Sequence, residues 1–158
     1  MRHTPSVCTK KKIYLDANFL IPYFCRNHGD HSDAVRKFAS LLKNFDLLLL
    51  SNLGLDETYF KIVGILEGKS ASNVSFRPYE QQLRSVLNQI LNEKSRFRVI
   101  QFSSAEEGAT LALSNIKNYD LKPRDAYHLA VMQNHEILDV VTKDKDFSSV
   151  LNITTHSF

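Results

Sequence analysis

The fold is decided by the stretch KIYLDAN at residues 12–18. Its apolar run is too short for a helix and ends at a polar turn, which is typical of a short buried strand. Residues 46–50 form a second apolar run without alternation, as expected of a parallel strand covered on both faces, although a buried helix turn would show the same pattern. Residues 98–102 alternate, and residues 137–142 are again mainly apolar. We predict four strands here and a short edge strand at 152–157.

Helical segments separate these strands. The clearest follows Pro78, because apolar residues recur at helical spacing over residues 83–91. Capping or first-turn residues mark four other helix starts, at Ser32, Ser51-Asn52, Ser103-Ser104 and Pro123, and we expect Gly68 to close the helix that follows Ser51-Asn52. We expect Pro22 to limit how far toward the N-terminus the helix after the first strand can begin. Residues 69–77 are small and polar and predict a flexible loop.

The alternation of strands and helices predicts an α/β fold, a three-layer α/β/α sandwich with a central parallel sheet and right-handed crossovers. The 158 residues, of which 43% are hydrophobic, fit a single domain. We assign this domain to residues 12–158 and interpret residues 1–11 as a basic N-terminal tail.

The composition limits the classes of protein to which this chain can belong. Cys8 and Cys25 are spaced as neither a CxxC motif nor a zinc half-site, so we expect no disulfide and a reducing, cytoplasmic location. No apolar stretch approaches the roughly 20 residues that span a bilayer, and residues 1–12 lack the apolar segment of a secretory signal, so we expect no membrane contact. The net charge of +3 does not by itself establish nucleic-acid binding.

Four carboxylates follow apolar runs or open helices: Asp16, Glu57, Asp125 and Asp144. In an open α/β sheet the ligand site lies outside the carboxyl ends of the strands, so acids from separate segments can converge there. Converging carboxylates repel one another unless their pKa values rise or a cation neutralises them, and hard oxygen ligands suit Mg²⁺ or Mn²⁺. The leading hypothesis is a metal-dependent phosphodiesterase.

Two of these acids have simple explanations that need no metal. Asp16, taken alone, fits the N-cap of the next helix, although it could also point with Asn18 into the crevice. Glu57 is favourably placed near a helix N-terminus, and periodicity does not decide whether it or Asp56 faces inward.

The other acids differ in how strongly the sequence supports a functional role for them. Asp125 shares a helix face with Leu129 and Met132, the face expected to pack on the sheet, where an unpaired carboxylate is costly. Asp144 and Asp146 occupy a turn, where Asp is frequent for conformational reasons, but the end of a strand favours a place for Asp144 in the pocket.

Other chemistries have less support. His128 and His135 lie seven residues apart without an HExxH arrangement, so we interpret them as surface or partly buried side chains. Ser51, Thr142 and Tyr127 could orient acids or water by hydrogen bonds, but no nucleophile elbow and no glycine-rich phosphate loop is present in the sequence.

Four motifs together resemble the PIN-domain family: YLDAN at 14–18, Ser51 six residues before Glu57, RDAYHLA at 124–130 and VTKDKDF at 141–147. Many small single-domain members of that family are VapC-type toxin ribonucleases. The resemblance covers about residues 12–150. It implies a PIN fold, a Mg²⁺- or Mn²⁺-dependent endoribonuclease activity on RNA, a homodimer and a protein antitoxin partner.

By position, the family's acidic quartet, which binds the metal and is catalytic, matches Asp16, Glu57, Asp125 and Asp144. Supporting positions match Asn18, Ser51, Thr142 and the accessory acid Asp146. Two features depart from the family pattern, because Ala17 stands where a hydroxyl residue is common and the stretch 68–79 is long for a compact toxin.

Two other functions remain open. A PIN-like module could bind RNA or protein without cutting, with its acids serving caps and turns. A phosphatase or phosphorelay domain would use Asp16 as a nucleophile, but the stretch at 16–18 lacks the second Asp of the dehalogenase-type motif.

Overall fold

A five-stranded parallel sheet flanked by six helices makes up residues 10–158, the part of the chain that the computed structural model describes. The strands are β1 (Lys12–Leu15), β2 (Leu47–Ser51), β3 (Phe97–Ile100), β4 (Asp139–Val141) and β5 (Thr154–His156). The helices are α1 (Ala17–Phe24), α2 (His31–Asn44), α3 (Asn52–Glu67), α4 (Glu80–Leu91), α5 (Ala105–Tyr119) and α6 (Pro123–Asn134). Within this part of the chain, no helix has the length and apolar character of a membrane span. The first nine residues of the predicted tail lie outside the described residues.

The apolar strands divide their side chains between two cores. In β1, Ile13 and Leu15 enter one core and Tyr14 enters the other. In β2, Leu48 and Leu50 enter the first core and Leu49 the second. Residues of α1 to α4 complete the first core, and residues of α5 and α6 complete the second. The predicted three-layer α/β/α sandwich is confirmed.

Several predicted helix ends are confirmed. The hydroxyl of Ser51 accepts a hydrogen bond from the Gly54 N–H at 3.1 Å and begins α3. The hydroxyl of Ser104 accepts one from the Glu107 N–H, also at 3.1 Å, and begins α5. Gly68 ends α3 with a φ of 66°, in the left-handed region that favours glycine.

Two predictions about helix starts are wrong. Ser32 does not cap α2, which already begins at His31, whose ring Nδ1 lies 2.8 Å from the carbonyl oxygen of Pro22 and so ties this end of α2 to α1. Pro22 does not delay α1, which begins at Ala17. The helix lacks the one backbone hydrogen bond that a proline cannot donate, and the burial of Pro22 offsets this loss.

The segment between α3 and α4 differs from the predicted loop. It contains two 3₁₀ turns, at Ala71–Asn73 and Arg77–Tyr79. Pro78 therefore lies in the second of these turns rather than in the first turn of α4. Ala71 is buried against α3, so part of this segment belongs to the packed structure.

Gly108 of α5 offers a test of this packing. A Cβ atom at this position would lie 2.6 Å from Cγ of Phe102. Alanine normally stabilises a helix interior by about 1 kcal/mol relative to glycine. Because the Phe102 ring must move, we expect Gly108→Ala instead to lower the free energy of unfolding by about 1–3 kcal/mol, measured by urea denaturation.

The matched control is Gly29→Ala, where a Cβ atom would meet nothing within 4 Å. We expect little change in its midpoint. A Gly108→Ala variant as stable as the wild type would contradict the close contact with Phe102.

Candidate active site

The candidate site lies at the switch point of the sheet, where successive strands stop being added on one side of β1 and are added on the other. The strand order is β3-β2-β1-β4-β5, so β1 lies between β2 and β4, and the later strands extend to either side. Ligands of such sheets bind at this switch point, outside the carboxyl ends of the strands. Asp16 follows β1, Asp144 follows β4, Glu57 lies in the second turn of α3, and Asp125 lies in the first turn of α6.

Asp16 is buried, with only 8% of its surface exposed. It occupies the N-cap position of α1, but its side chain forms no capping hydrogen bond. Its Oδ2 atom instead accepts a hydrogen bond from the hydroxyl of Thr142 at 2.7 Å. The explanation of Asp16 as a simple helix cap is therefore wrong, because its carboxylate turns toward the segment after β4.

The Thr142 hydroxyl joins the two sides of the crevice. It donates to Asp16, and it accepts from Asn18 Nδ2 and from the backbone N–H of Asp144, each at 2.9 Å. The Oδ1 atom of Asn18 accepts from the N–H of Lys143 at 3.3 Å. Thr142 and Asn18 thus contact the segments that carry two of the predicted acids.

The possible ligand atoms gather in two groups. In each group, every residue offers one atom within 4.8 Å of the others. The first group is Asp16, Glu57 and His128, and the second is Asp125, Asp144 and Asp146. Asp146 also donates its backbone N–H to Oδ1 of Asp144 at 2.9 Å. The structure therefore gathers the four predicted acids and the accessory acid into two groups, and the charge of Asp16 in one group acts on Asp125 in the other.

Burial and like charge oppose ionisation of two of these acids. Burial raises the pKa of Asp16, and the charge of Glu57 adds to this, against the lowering effects of His128 and the Thr142 hydroxyl. Burial also raises the pKa of Asp125, with further contributions from the charges of Asp144 and Asp16. Asp125 therefore senses acids of both groups.

Glu57 behaves differently. Burial would raise its pKa, but the hydrogen bond from His128 and the nearby Arg124 guanidinium bring the pKa below its usual range. Its Oε1 lies 3.4 Å from Nη1 of Arg124. The ionised form of Glu57 is thus favoured, whereas burial disfavours the ionised forms of Asp16 and Asp125.

Basic residues leave the centre of the site without a counter-charge. Besides the ion pairs of Glu57, one further ion pair among the described residues involves a site acid: Lys122 Nζ lies 3.1 Å from Asp146 Oδ2. Among residues 10–158, no Lys, Arg or His forms an ion pair with three of the acids: Asp16, Asp125 and Asp144. Three convergent carboxylates without a basic partner have the chemistry of a cation site.

The prediction of His128 as a surface or partly buried residue is wrong, because only 2% of it is exposed. Its Nε2 lies 3.0 Å from Glu57 Oε2, and its Nδ1 lies 2.6 Å from the hydroxyl oxygen of Tyr14. That hydroxyl also lies 2.7 Å from Oγ of Ser51. The sequence did carry a signal for His128, since it follows Asp125 by three residues and so shares the helix face that packs on the sheet.

Three neighbouring residues lie outside the site. Asp56 is exposed whereas Glu57 turns inward, which resolves the choice that periodicity left open. Tyr127 is exposed and contacts the edge of Phe102, with ring centroids 6.2 Å apart, rather than orienting the acids as predicted. His135 lies at the end of α6 and is partly buried, as predicted.

The PIN domain family matches residues 13–151, which is most of the chain. The chain therefore belongs to the PIN domain family, and the resemblance seen in its motifs is confirmed. Among curated proteins, none matches the chain significantly.

Solved structures of VapC-type proteins have the same fold. VapC20 of Mycobacterium tuberculosis, a sarcin-ricin loop cleaving toxin, is 20% identical and has a TM-score of 0.61, with 87% of this chain and 93% of that chain covered. A toxin-antitoxin complex from Klebsiella pneumoniae is 22% identical and has a TM-score of 0.60, with 90% of this chain and 96% of that chain covered. VapBC2 of Rickettsia felis, bound to a promoter DNA fragment, is 17% identical and has a TM-score of 0.61, with 92% of this chain and 98% of that chain covered.

The raised pKa values predict a loss of stability with rising pH in the absence of metal. Folding favours the protonated forms of Asp16 and Asp125, so their contribution is fully present below the ordinary carboxyl pKa and is lost as the pH rises through the raised values. We expect Asp16→Asn to remove part of this loss. In EDTA its Tm should exceed that of the wild type by about 2–4 °C near neutral pH, and by less at acidic pH.

Thermal denaturation followed by circular dichroism measures this difference. The control is Asp120→Asn, because Asp120 is exposed and has a φ of 55°, a conformation that Asn also tolerates. A neutral-pH Tm for Asp16→Asn equal to or below that of the wild type would contradict the repulsion.

Proposed function

We propose that this chain is a metal-dependent endoribonuclease that hydrolyses RNA phosphodiester bonds, and that it is the toxin of a toxin-antitoxin pair. One observation carries the proposal: carboxylates from separate segments converge at the switch point, and three of them, Asp16, Asp125 and Asp144, form no ion pair among residues 10–158. A site that only bound RNA would gain nothing from such acids, because they repel phosphates. A cation removes that conflict.

The donor set fits Mg²⁺ or Mn²⁺. Carboxylate oxygens are the ligands that these cations prefer, and the raised pKa values of Asp16 and Asp125 mark positions where a cation would relieve repulsion. Asp16, Asp125 and Asp144 would hold the metal, and Glu57 would complete the site directly or through water. When bound, the metal would supply an activated water and shield the charge of the scissile phosphate.

The chain's own residues hold the acids and the substrate. Thr142 keeps the Asp16 carboxylate turned into the crevice, since it donates to Oδ2 and is itself fixed by Asn18. Lys122 and Arg124, whose side chains are 76% and 68% exposed, lie at the rim beside site acids. They would bind phosphates on either side of the scissile bond.

The substrate and the partners are proposed by analogy with the relatives. VapC20 cleaves the sarcin-ricin loop, and the Klebsiella structure is a toxin-antitoxin complex. We accordingly propose RNA as the substrate, a protein antitoxin as a partner, and a homodimer. Light scattering of the purified chain tests the dimer, because a monomeric mass at micromolar concentration would contradict it.

The central experiment measures cleavage of a panel of structured and single-stranded RNAs with Mg²⁺, with Mn²⁺ and with EDTA. We expect cleavage with either metal and none with EDTA. Asp125→Asn should lower the rate by more than about 100-fold, because loss of a metal ligand should cost more than loss of an outer partner of a ligand. Its fold should be retained, as judged by circular dichroism.

The adjacent acids of α3 supply a matched control. Glu57→Gln should lower the cleavage rate, whereas Asp56→Asn should not, because Asp56 is exposed to solvent. Well-folded wild-type protein that binds the RNA panel without divalent metal and never cuts it would favour the binding module instead. A trapped aspartyl-phosphate on Asp16 would favour the phosphatase.

A further inference from the structure

A chain of buried hydrogen bonds runs from the start of α3 to Glu57. The Gly54 N–H donates to Ser51 Oγ at 3.1 Å, and Ser51 Oγ lies 2.7 Å from the Tyr14 hydroxyl oxygen. Tyr14 in turn contacts Nδ1 of His128 at 2.6 Å, and His128 Nε2 contacts Glu57 Oε2 at 3.0 Å. Ser51, Tyr14 and His128 are each at most 2% exposed, so water does not compete for these bonds.

The direction of every bond in this chain follows from its two ends. At one end, Nε2 of His128 lies 3.0 Å from Oε2 of Glu57, a contact in which a ring N–H donates to a carboxyl oxygen. At the other end, the Gly54 N–H can only donate, so one lone pair of Ser51 is already used. A neutral His128 then has an unprotonated Nδ1, which accepts from the Tyr14 hydroxyl. The Tyr14 oxygen accepts from the Ser51 hydroxyl, and each proton has one acceptor.

The alternative, a protonated His128, fits less well. Its Nδ1–H would donate to Tyr14, whose hydroxyl would then donate to Ser51. The Ser51 hydroxyl proton would be left without an acceptor among residues 10–158, since its contacts there are Tyr14 and the Gly54 N–H. A buried donor without an acceptor is disfavoured, so the hydrogen-bond geometry favours the arrangement in which Nδ1 accepts from Tyr14.

We propose that Ser51 and Tyr14 act through His128 as positioning residues, fixing the ring as the Nε2–H tautomer so that it donates to Glu57. This inference rests on the proposed function only for its catalytic consequence. The tautomer fixes which nitrogen faces the acid, as the second partner of a histidine commonly does. His128 therefore acts as a hydrogen-bond donor to Glu57, and its Nε2 lone pair is not free to bind the metal.

The consequence for Glu57 is a fixed carboxylate. Oε2 is engaged by His128, and Oε1 lies on the side of Arg124, 3.4 Å from its Nη1. Without the Tyr14 hydroxyl, Nδ1 would lose its donor, and the ring could take the Nδ1–H tautomer. It would then present an Nε2 lone pair to the Glu57 carboxylate, so the acid would turn away from its position.

The tautomer can be measured without any activity. In protein labelled with ¹⁵N-histidine, long-range ¹H–¹⁵N spectra distinguish protonated from unprotonated ring nitrogens, and His128→Gln assigns the signal. Near neutral pH we expect the Nε2–H tautomer in the wild type. A proton on Nδ1 would overturn the proposal. Because this spectrum needs no RNA, the proposal can fail or stand whether or not the chain is a nuclease.

Variants test the consequence for function. Tyr14→Phe should mix the tautomers, weaken Mn²⁺ binding measured by calorimetry, and lower kcat by about 10-fold or more with little change in KM for RNA. The control is Tyr23→Phe, because Tyr23 packs in the other core and has no hydrogen-bond partner for its hydroxyl among residues 10–158. A Tyr14→Phe protein with an unchanged tautomer and Mn²⁺ affinity would overturn the proposal.

Rescue separates positioning from packing. The amide of Gln overlaps Nε2 of His, so His128→Gln can still donate to Glu57, whereas the shorter amide in His128→Asn lies nearer to Nδ1. We expect His128→Gln to keep most of the Mn²⁺ affinity and His128→Asn to lose about 10-fold. Equal losses in both variants would show a packing role alone. If Tyr14→Phe fails to fold, the wild-type spectrum and this pair still decide the question.

Discussion

The burial of neighbouring carboxylates, at the end of β1 and at the start of α6, is the constraint on which the rest of the site depends. Burial raises the pKa values of Asp16 and Asp125, so the fold holds these groups where their ionised forms are disfavoured. Such positions persist only where the surrounding packing supplies the free energy. The two cores on either face of the sheet supply it here, and the acids stand at the edge where those cores meet.

Two hydrogen-bond networks hold Asp16 and Glu57 in place. Thr142 and Asn18 fix Asp16 from the segment after β4, and Tyr14 with His128 fixes Glu57 from β1 and α6. A salt bridge to Asp16 in place of the Thr142 hydroxyl would neutralise that acid and leave less attraction for a cation. Tyr14 belongs both to this network and to the second core, so side-chain packing and site geometry are set by the same residue.

Much of the fold was predictable from the sequence, because short apolar runs and capping residues are local signals. Ser51, Ser104 and Gly68 marked their helix ends correctly. The failures came from contacts between distant residues, since the ring of His31 meets the end of α1 and burial offsets the lost hydrogen bond of Pro22.

The site was predictable in part. The four acids could be chosen from their positions after strands and from family motifs, but their partners could not. The burial of His128 depends on Tyr14 and Glu57, which lie 114 and 71 residues away in the chain. A helical pattern gives the face of His128 but not what that face meets. The same holds for Asp16, whose choice of Thr142 over a helix cap depends on the neighbouring strand.

The bond between Asp16 and Thr142 spans 126 residues, and this separation sets the order in which the molecule becomes complete. During synthesis, β1, β2 and β3 can pair while most of the later chain is still unmade, because they are consecutive along the chain and adjacent in the sheet. The central strand keeps one open edge until β4 emerges from the ribosome and joins it. The site is therefore completed only after β4 and the residues that follow it have been translated, and shorter nascent chains carry the early acids without the partners that orient them.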